Sequence, residues 1–103
     1  MRTRIVEEGP SWYPVLGDCP CGNGAIRMVT MDGEIEFFEC GLMSGREGAC
    51  HRRFYHSGGK DGQLLCSSEA DPVRYDFGRI VLEDGNRYFE SHLPGNDESR
   101  LNP

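Results

Sequence analysis

The sequence predicts an all-β fold of one small domain, and three observations carry that expectation. Two Asp-Gly pairs, Asp32-Gly33 and Asp84-Gly85, each sit between runs of β-prone residues. Both central positions of a two-residue hairpin turn need φ > 0, which Asp and Gly tolerate, so each pair predicts a hairpin. No stretch repeats its apolar residues with the period of an amphipathic helix. Glycine is frequent, at 14 of 103 residues, as a turn-rich chain requires.

The elements follow in order. Thr3–Val6 is a short strand candidate. Ser11–Leu16 is broken by Pro14, but Trp12, Tyr13, Val15 and Leu16 make it an apolar extended segment, with Trp12 packing as core or as a lid. Ala25–Met31 and Glu34–Cys40 form the first hairpin. A plain two-residue turn sets Thr30 opposite Ile35, Met28 opposite Phe37, Arg27 opposite Phe38 and Ala25 opposite Cys40. Gly41–Ala49 reads as a loop, Arg52–His56 as a third strand, Ser57–Gly62 as a Gly-rich turn and Gln63–Cys66 as another short strand. Asp71-Pro72 marks a turn.

Arg79–Glu83 and Asn86–His92 form the second hairpin. Its register pairs Leu82 with Arg87, Val81 with Tyr88, Ile80 with Phe89 and Arg79 with Glu90, the last two a good apolar match and a good charge match. Its Ile80–Phe89 face should pack on the first hairpin. Residues 1–94 are expected to form the single domain and 95–103 a flexible tail. Two units hinged near Ser57–Gly62 are the alternative.

Composition bounds the function. Eleven basic and 17 acidic residues leave a net charge of −6 and a pI near 4.9. Proteins that grip phosphate backbones are usually basic, so the balance disfavours non-specific nucleic-acid binding. It favours a protein partner with a basic surface, such as one that handles nucleic acid. No apolar run approaches the ~20 residues of a membrane span. An odd number of cysteines, a Cys-x-Cys pair and no signal-peptide pattern argue for reduced thiols and a cytoplasmic location.

Cys19 and Cys21 stand in Cys-Pro-Cys-Gly. Cys40 closes the first hairpin and Cys50 precedes the third strand. The hairpin register brings the first pair to the end where Cys40 lies. Four soft thiolates suit tetrahedral Zn²⁺, so these four are the expected zinc ligands. Gly22 and Gly24 leave backbone amides free to point at sulfur. His51 is the candidate to replace Cys40 or Cys50, whereas His56 and His92 read as strand or surface residues. Cys66 is left over as a buried strand cysteine.

Cys-Pro-Cys-Gly, a hairpin, a cysteine ending an aromatic strand and Cys50-x-x-x-Phe54 together resemble the zinc-ribbon superfamily. The similarity is to small phage zinc ribbons in particular, such as late-gene transcription activators and restriction-alleviation proteins, over about Gly17–His56. It implies a structural zinc on a three-stranded ribbon, here extended by a C-terminal hairpin, and roles with transcription machinery or nucleic acid. The first knuckle is contracted to one intervening residue, and nine residues separate Cys40 from Cys50.

The function expected is a small acidic zinc protein acting as a protein-interaction module, of the phage type that modulates host transcription, nucleic-acid or defence machinery. Leu42, Met43 and Arg46 in the loop, with Arg52 and Arg53, are the candidate contact residues. The alternative is a nucleic-acid-binding transcription regulator using the Arg52/Arg53 cluster beside Phe54 and Tyr55. Strand alternation sends Arg52 and Phe54 to one face and Arg53 and Tyr55 to the other. The competing reading pairs these arginines with Glu34, Glu36, Glu39 or Glu47. No Gly-rich phosphate loop, Gly-x-Ser-x-Gly or His-Glu-x-x-His is present, and four thiolates leave zinc no open position, so no enzyme activity is expected.

Overall fold

The computed structural model describes residues 2–5, 14–41, 48–59 and 62–95. They form β1 (Arg2–Ile5), β2 (Val15–Asp18), β3 (Ala25–Met31), β4 (Glu34–Gly41), β5 (Arg53–Gly58), β6 (Gln63–Ser67), β7 (Tyr75–Glu83) and β8 (Asn86–Ser91). All lie in one antiparallel sheet ordered β1-β8-β7-β6-β5-β4-β3-β2. Strands β2 to β8 follow one another as a meander, and β1 returns to the far edge to pair with β8. Among the described residues no helix is long and apolar enough to cross a membrane. Trp12, Val6, Leu42, Met43 and Arg46 lie outside the described residues.

The sheet curls until β2 meets the end of β8 and the segment after it. Asp18 N donates to Pro94 O at 2.8 Å and Ser91 Oγ donates to Leu16 O at 2.7 Å. The segment after β8 thus caps part of the exposed edge of β2, which would otherwise offer unpaired backbone groups. Strand β5 makes the bend. Its Arg53 and Phe54 pair with β4, while Tyr55–Gly58 pair with β6. One strand serving two sub-sheets is a common way to turn a corner.

The first hairpin turns as expected, with Asp32 at φ 52° and Gly33 at φ 77°. Its register does not stay as expected beyond Thr30–Ile35. A bulge leaves Glu36 without a partner, so Val29 faces Phe37, Met28 faces Phe38, Arg27 faces Glu39, Ile26 faces Cys40 and Ala25 faces Gly41. The physical reason is burial. A one-residue slip swaps the faces of a strand. Without the bulge, Ile35, Phe37 and Glu39 would share the inner face, and a carboxylate would point into the core. With it, Ile35, Phe38 and Cys40 point inward and all are buried.

The second hairpin keeps the expected register over Ile80–Phe89 and Arg79–Glu90, with Arg79 Nε 2.9 Å from Glu90 Oε1. Strand β7 starts earlier than expected, at Tyr75, and β8 stops at Ser91. Strand β5 is shifted to Arg53–Gly58, because Ser57 and Gly58 continue the ladder opposite Leu65 and Leu64. The Asp71 turn is closed by Ser68, whose Oγ accepts the Asp71 amide at 2.9 Å, and by Tyr75, whose hydroxyl donates to Asp71 at 2.6 Å.

The two sub-sheets share one core. Phe38 from β4 packs on Phe77 and Phe89, each at 5.4 Å between ring centroids, and Phe54 from β5 packs on Phe77 at 5.1 Å. All four rings are fully buried. Cys66 is buried among them, as a strand cysteine should be. Burial, helped by the negative charge of Asp76, pushes its thiol up to about 12 from an ordinary 9.0. A raised folded-state pKa means stability that is complete below the unfolded value and lost as pH climbs to the folded one. Urea midpoints are therefore expected to fall between about pH 9 and pH 12, and Cys66→Ala should flatten that slope.

Candidate metal centre

Strand β2 delivers Cys19 into a tight knuckle. Gly22 N donates to Cys19 O and Cys19 N to Gly24 O, each at 2.9 Å. Gly22 holds φ at 80°, where a side chain would be strained. The knuckle aims amides at sulfur, with Cys21 N 3.5 Å from Cys19 Sγ and Asn23 N 3.4 Å from Cys21 Sγ. Cys40 comes from the end of β4, where its amide donates to Arg52 O at 3.0 Å. That bond aligns the segment carrying Cys50 beside β4.

The four Sγ atoms of Cys19, Cys21, Cys40 and Cys50 all lie within 4.8 Å of one another. Cys19 and Cys50 are 3.7 Å apart, and Cys21 and Cys40 are 3.8 Å apart. Bonds of ~2.3 Å to a tetrahedral centre place neighbouring sulfurs about 3.8 Å apart. All four are free thiols, so the group can hold a metal ion. Cys19 and Cys40 are buried, while Cys21 and Cys50 are half-buried at the rim. Among the described residues no other group of His, Cys, Asp or Glu converges this way.

His51 is exposed beside Cys50 and is not in the group. His56 Nε2 sits 3.2 Å from Ile35 O, and His92 Nδ1 sits 3.2 Å from Asp76. Cys66 is likewise elsewhere, on β6.

Without metal, burial pushes the Cys19 thiol well up and Cys40 up to about 11. Burial acts the same way on Cys21, but the Asn23 amide and the neighbouring thiols outweigh it and bring Cys21 down to about 7. A bound cation would replace those protons, and the amides already face the resulting thiolates.

Gly24 is required by close approach. A Cβ there would collide with Cys40 Sγ and come within 2.9 Å of Gly41 O and 3.0 Å of Ala49 Cβ. Gly24→Ala is expected to weaken metal retention about tenfold or more, the usual scale for a group that holds a ligand in place. Competition with a chromogenic chelator measures this directly.

Arg52 and Arg53 do not divide between two faces as strand alternation implied. Both line one depression with Tyr55, Ser68, Glu69 and Ala70. Arg52 precedes the strand, and His51 at φ 57° turns the chain there, so alternation does not reach it. The Arg53 guanidinium lies 4.6 Å over the Phe37 ring. The expected register set Phe37 opposite Met28, whereas the Glu36 bulge sets it opposite Val29 and turns it toward Arg53 and Tyr55 of β5. Glu34 is taken by Arg87 at 3.0 Å, and among the described residues no ion pair includes Arg52 or Arg53.

No family model, curated protein or solved structure matches this chain.

Proposed function

We propose that the chain holds one structural Zn²⁺ on Cys19, Cys21, Cys40 and Cys50, and that it works as a zinc-stapled, non-catalytic protein-interaction module. The observation that carries the metal reading is the close approach of four thiols at the spacing of a zinc tetrahedron. Four soft donors favour zinc over magnesium or calcium, which take oxygen ligands. A fourfold thiolate set fills the coordination sphere and leaves no position for substrate, which argues for a scaffold. The zinc-ribbon resemblance of residues 17–56 and the phage-type role it implies point the same way, as does a reducing cytoplasm for five free thiols.

The surface supports a basic protein partner. The two hairpin turns lie side by side, tied by Arg87 to Gly33 O at 2.9 Å and to the Glu34 carboxylate. Asp32, Glu34, Glu36, Glu83 and Asp84 are exposed around them. Within this acidic end Met31 is 59% exposed and Leu82 74%. Arg87 and Arg2 offset Glu34 and Glu83, and Asp32, Glu36 and Asp84 leave this end net acidic, which suits a partner with a basic rim around an apolar seat.

Elemental analysis of protein purified without chelator should give one zinc per chain, and a folded sample without zinc would reject the site. A partner recovered from the native host should be lost by Met31→Ser with Leu82→Ser. These positions are exposed, so the fold should change little. Unaltered retention would place the contact elsewhere.

A further inference from the structure

On the outer face of β5 a depression of about 270 Å³ is walled by Arg52, Arg53, Tyr55, Ser68, Glu69 and Ala70. Its parts are fixed in different ways. The Arg53 guanidinium lies over the Phe37 ring, 4.6 Å from its centroid, and this contact restricts it before any ligand arrives. Tyr55 leans on the same Phe37 ring at 6.3 Å and 53°, and stays 48% exposed. Ser68 is buried and spends its hydroxyl on the Asp71 amide, which sets the wall carrying Glu69. Two cations and an open aromatic ring thus converge on a space of about one nucleotide, in a chain that is otherwise strongly acidic.

We propose that this depression binds a nucleotide unit, with its base stacked on Tyr55 and its phosphate held by Arg52 and Arg53. Stacking beside fixed cations is how proteins hold single-stranded nucleic acid without reading grooves. Glu69 sharpens the choice. Its carboxylate accepts a hydrogen bond from a base amino group or a ribose hydroxyl, while its charge opposes a bare phosphate or an acidic peptide. The net charge of −6 repels a long polyanion elsewhere, so phosphate contact is confined to this spot. Arg52 stands two residues from Cys50 and its carbonyl accepts the Cys40 amide, so its placement is linked to the thiol group, whereas Arg53 and Tyr55 lie on β5 and Ser68 and Glu69 just after β6.

The test uses the full chain with its metal content measured first, so that failure here leaves the zinc reading untouched. Amide and side-chain NMR signals are followed during titration with AMP, with an eight-residue oligoriboadenylate, with inorganic phosphate and with a Glu-rich peptide. AMP or the oligonucleotide should shift Arg52, Arg53, Tyr55 and Glu69 together. Much tighter binding of the oligonucleotide identifies a strand as the source, and equal binding a free nucleotide. Tyr55→Ala should weaken binding about tenfold or more, and Tyr55→Phe should restore it. Arg52→Gln should remove about 0.7 from the slope of log K against log salt, one phosphate contact's share for a single strand. Three outcomes overturn the proposal. One is no shift at these residues with millimolar nucleotide. Another is equal binding of phosphate alone with no effect of Tyr55→Ala. The third is preference for the acidic peptide.

Discussion

Cys40→Ser is expected to strip the proposed zinc and unfold β2–β5. Serine's hydroxyl stays protonated at neutral pH and is a poor zinc donor, so the centre loses one of four bonds and its closed geometry. Structural zinc contributes an apparent ~10–16 kcal/mol in small domains, as much as or more than the ~5–15 kcal/mol net stability of a typical fold. Cys40 is also fully buried, and its amide bond to Arg52 O ties β4 to the segment that carries Cys50. Loss of dispersed amide signals from β2–β4 and of bound zinc together would bear this out. A variant that kept one zinc and its melting temperature would remove Cys40 from the centre. Cys66→Ala is the control, expected to retain zinc. Were Cys66→Ala to lose zinc while Cys50→Ser kept it, the ligand set would be wrong.

Phe38→Ala is expected to cost about 3–5 kcal/mol, the range for deleting a buried ring and leaving its cavity. Phe38 belongs to β4, yet its ring neighbours Phe77 and Phe89 belong to β7 and β8. The loss should therefore reach both sub-sheets. Urea unfolding should show a lower midpoint, an unchanged slope and one transition whether followed at β3 or at β8. A β8 that outlasts β3 would mean two units hinged near Ser57–Gly62. The same logic makes Cys40→Ser destabilise β6–β8 as well as β2–β5.

Much of the hairpin layout was legible in the chain because its signals are local. Asp84-Gly85 requires left-handed backbone at both positions, and from that turn outward a period of two fixes every pair through Arg79–Glu90. Asp32-Gly33 sets Thr30 against Ile35 in the same way. Beyond that point local rules fail, because nothing in the Ile35–Glu39 run says where an extra residue will be absorbed. The bulge at Glu36 is decided by which residues the far side of the core can cover. Phe38 finds Phe77 and Phe89, while Glu39 is turned toward Arg53's strand. The same displacement carries Phe37 out to Arg53 and Tyr55; the linear pattern grouped Arg52, Arg53 and Tyr55 but did not show that Phe37 backs them or that both arginines line one depression.

By itself the sequence determined the β class, the two turns and the four sulfur ligand candidates, since each rests on residue types whose chemistry acts over a few positions. Only the tertiary structure decided how Cys50 reaches the other three, how β5 divides between two partners and where β1 pairs. Those outcomes depend on contacts between residues far apart in the chain, where burial of the shared aromatic core sets the register that short-range preference leaves open.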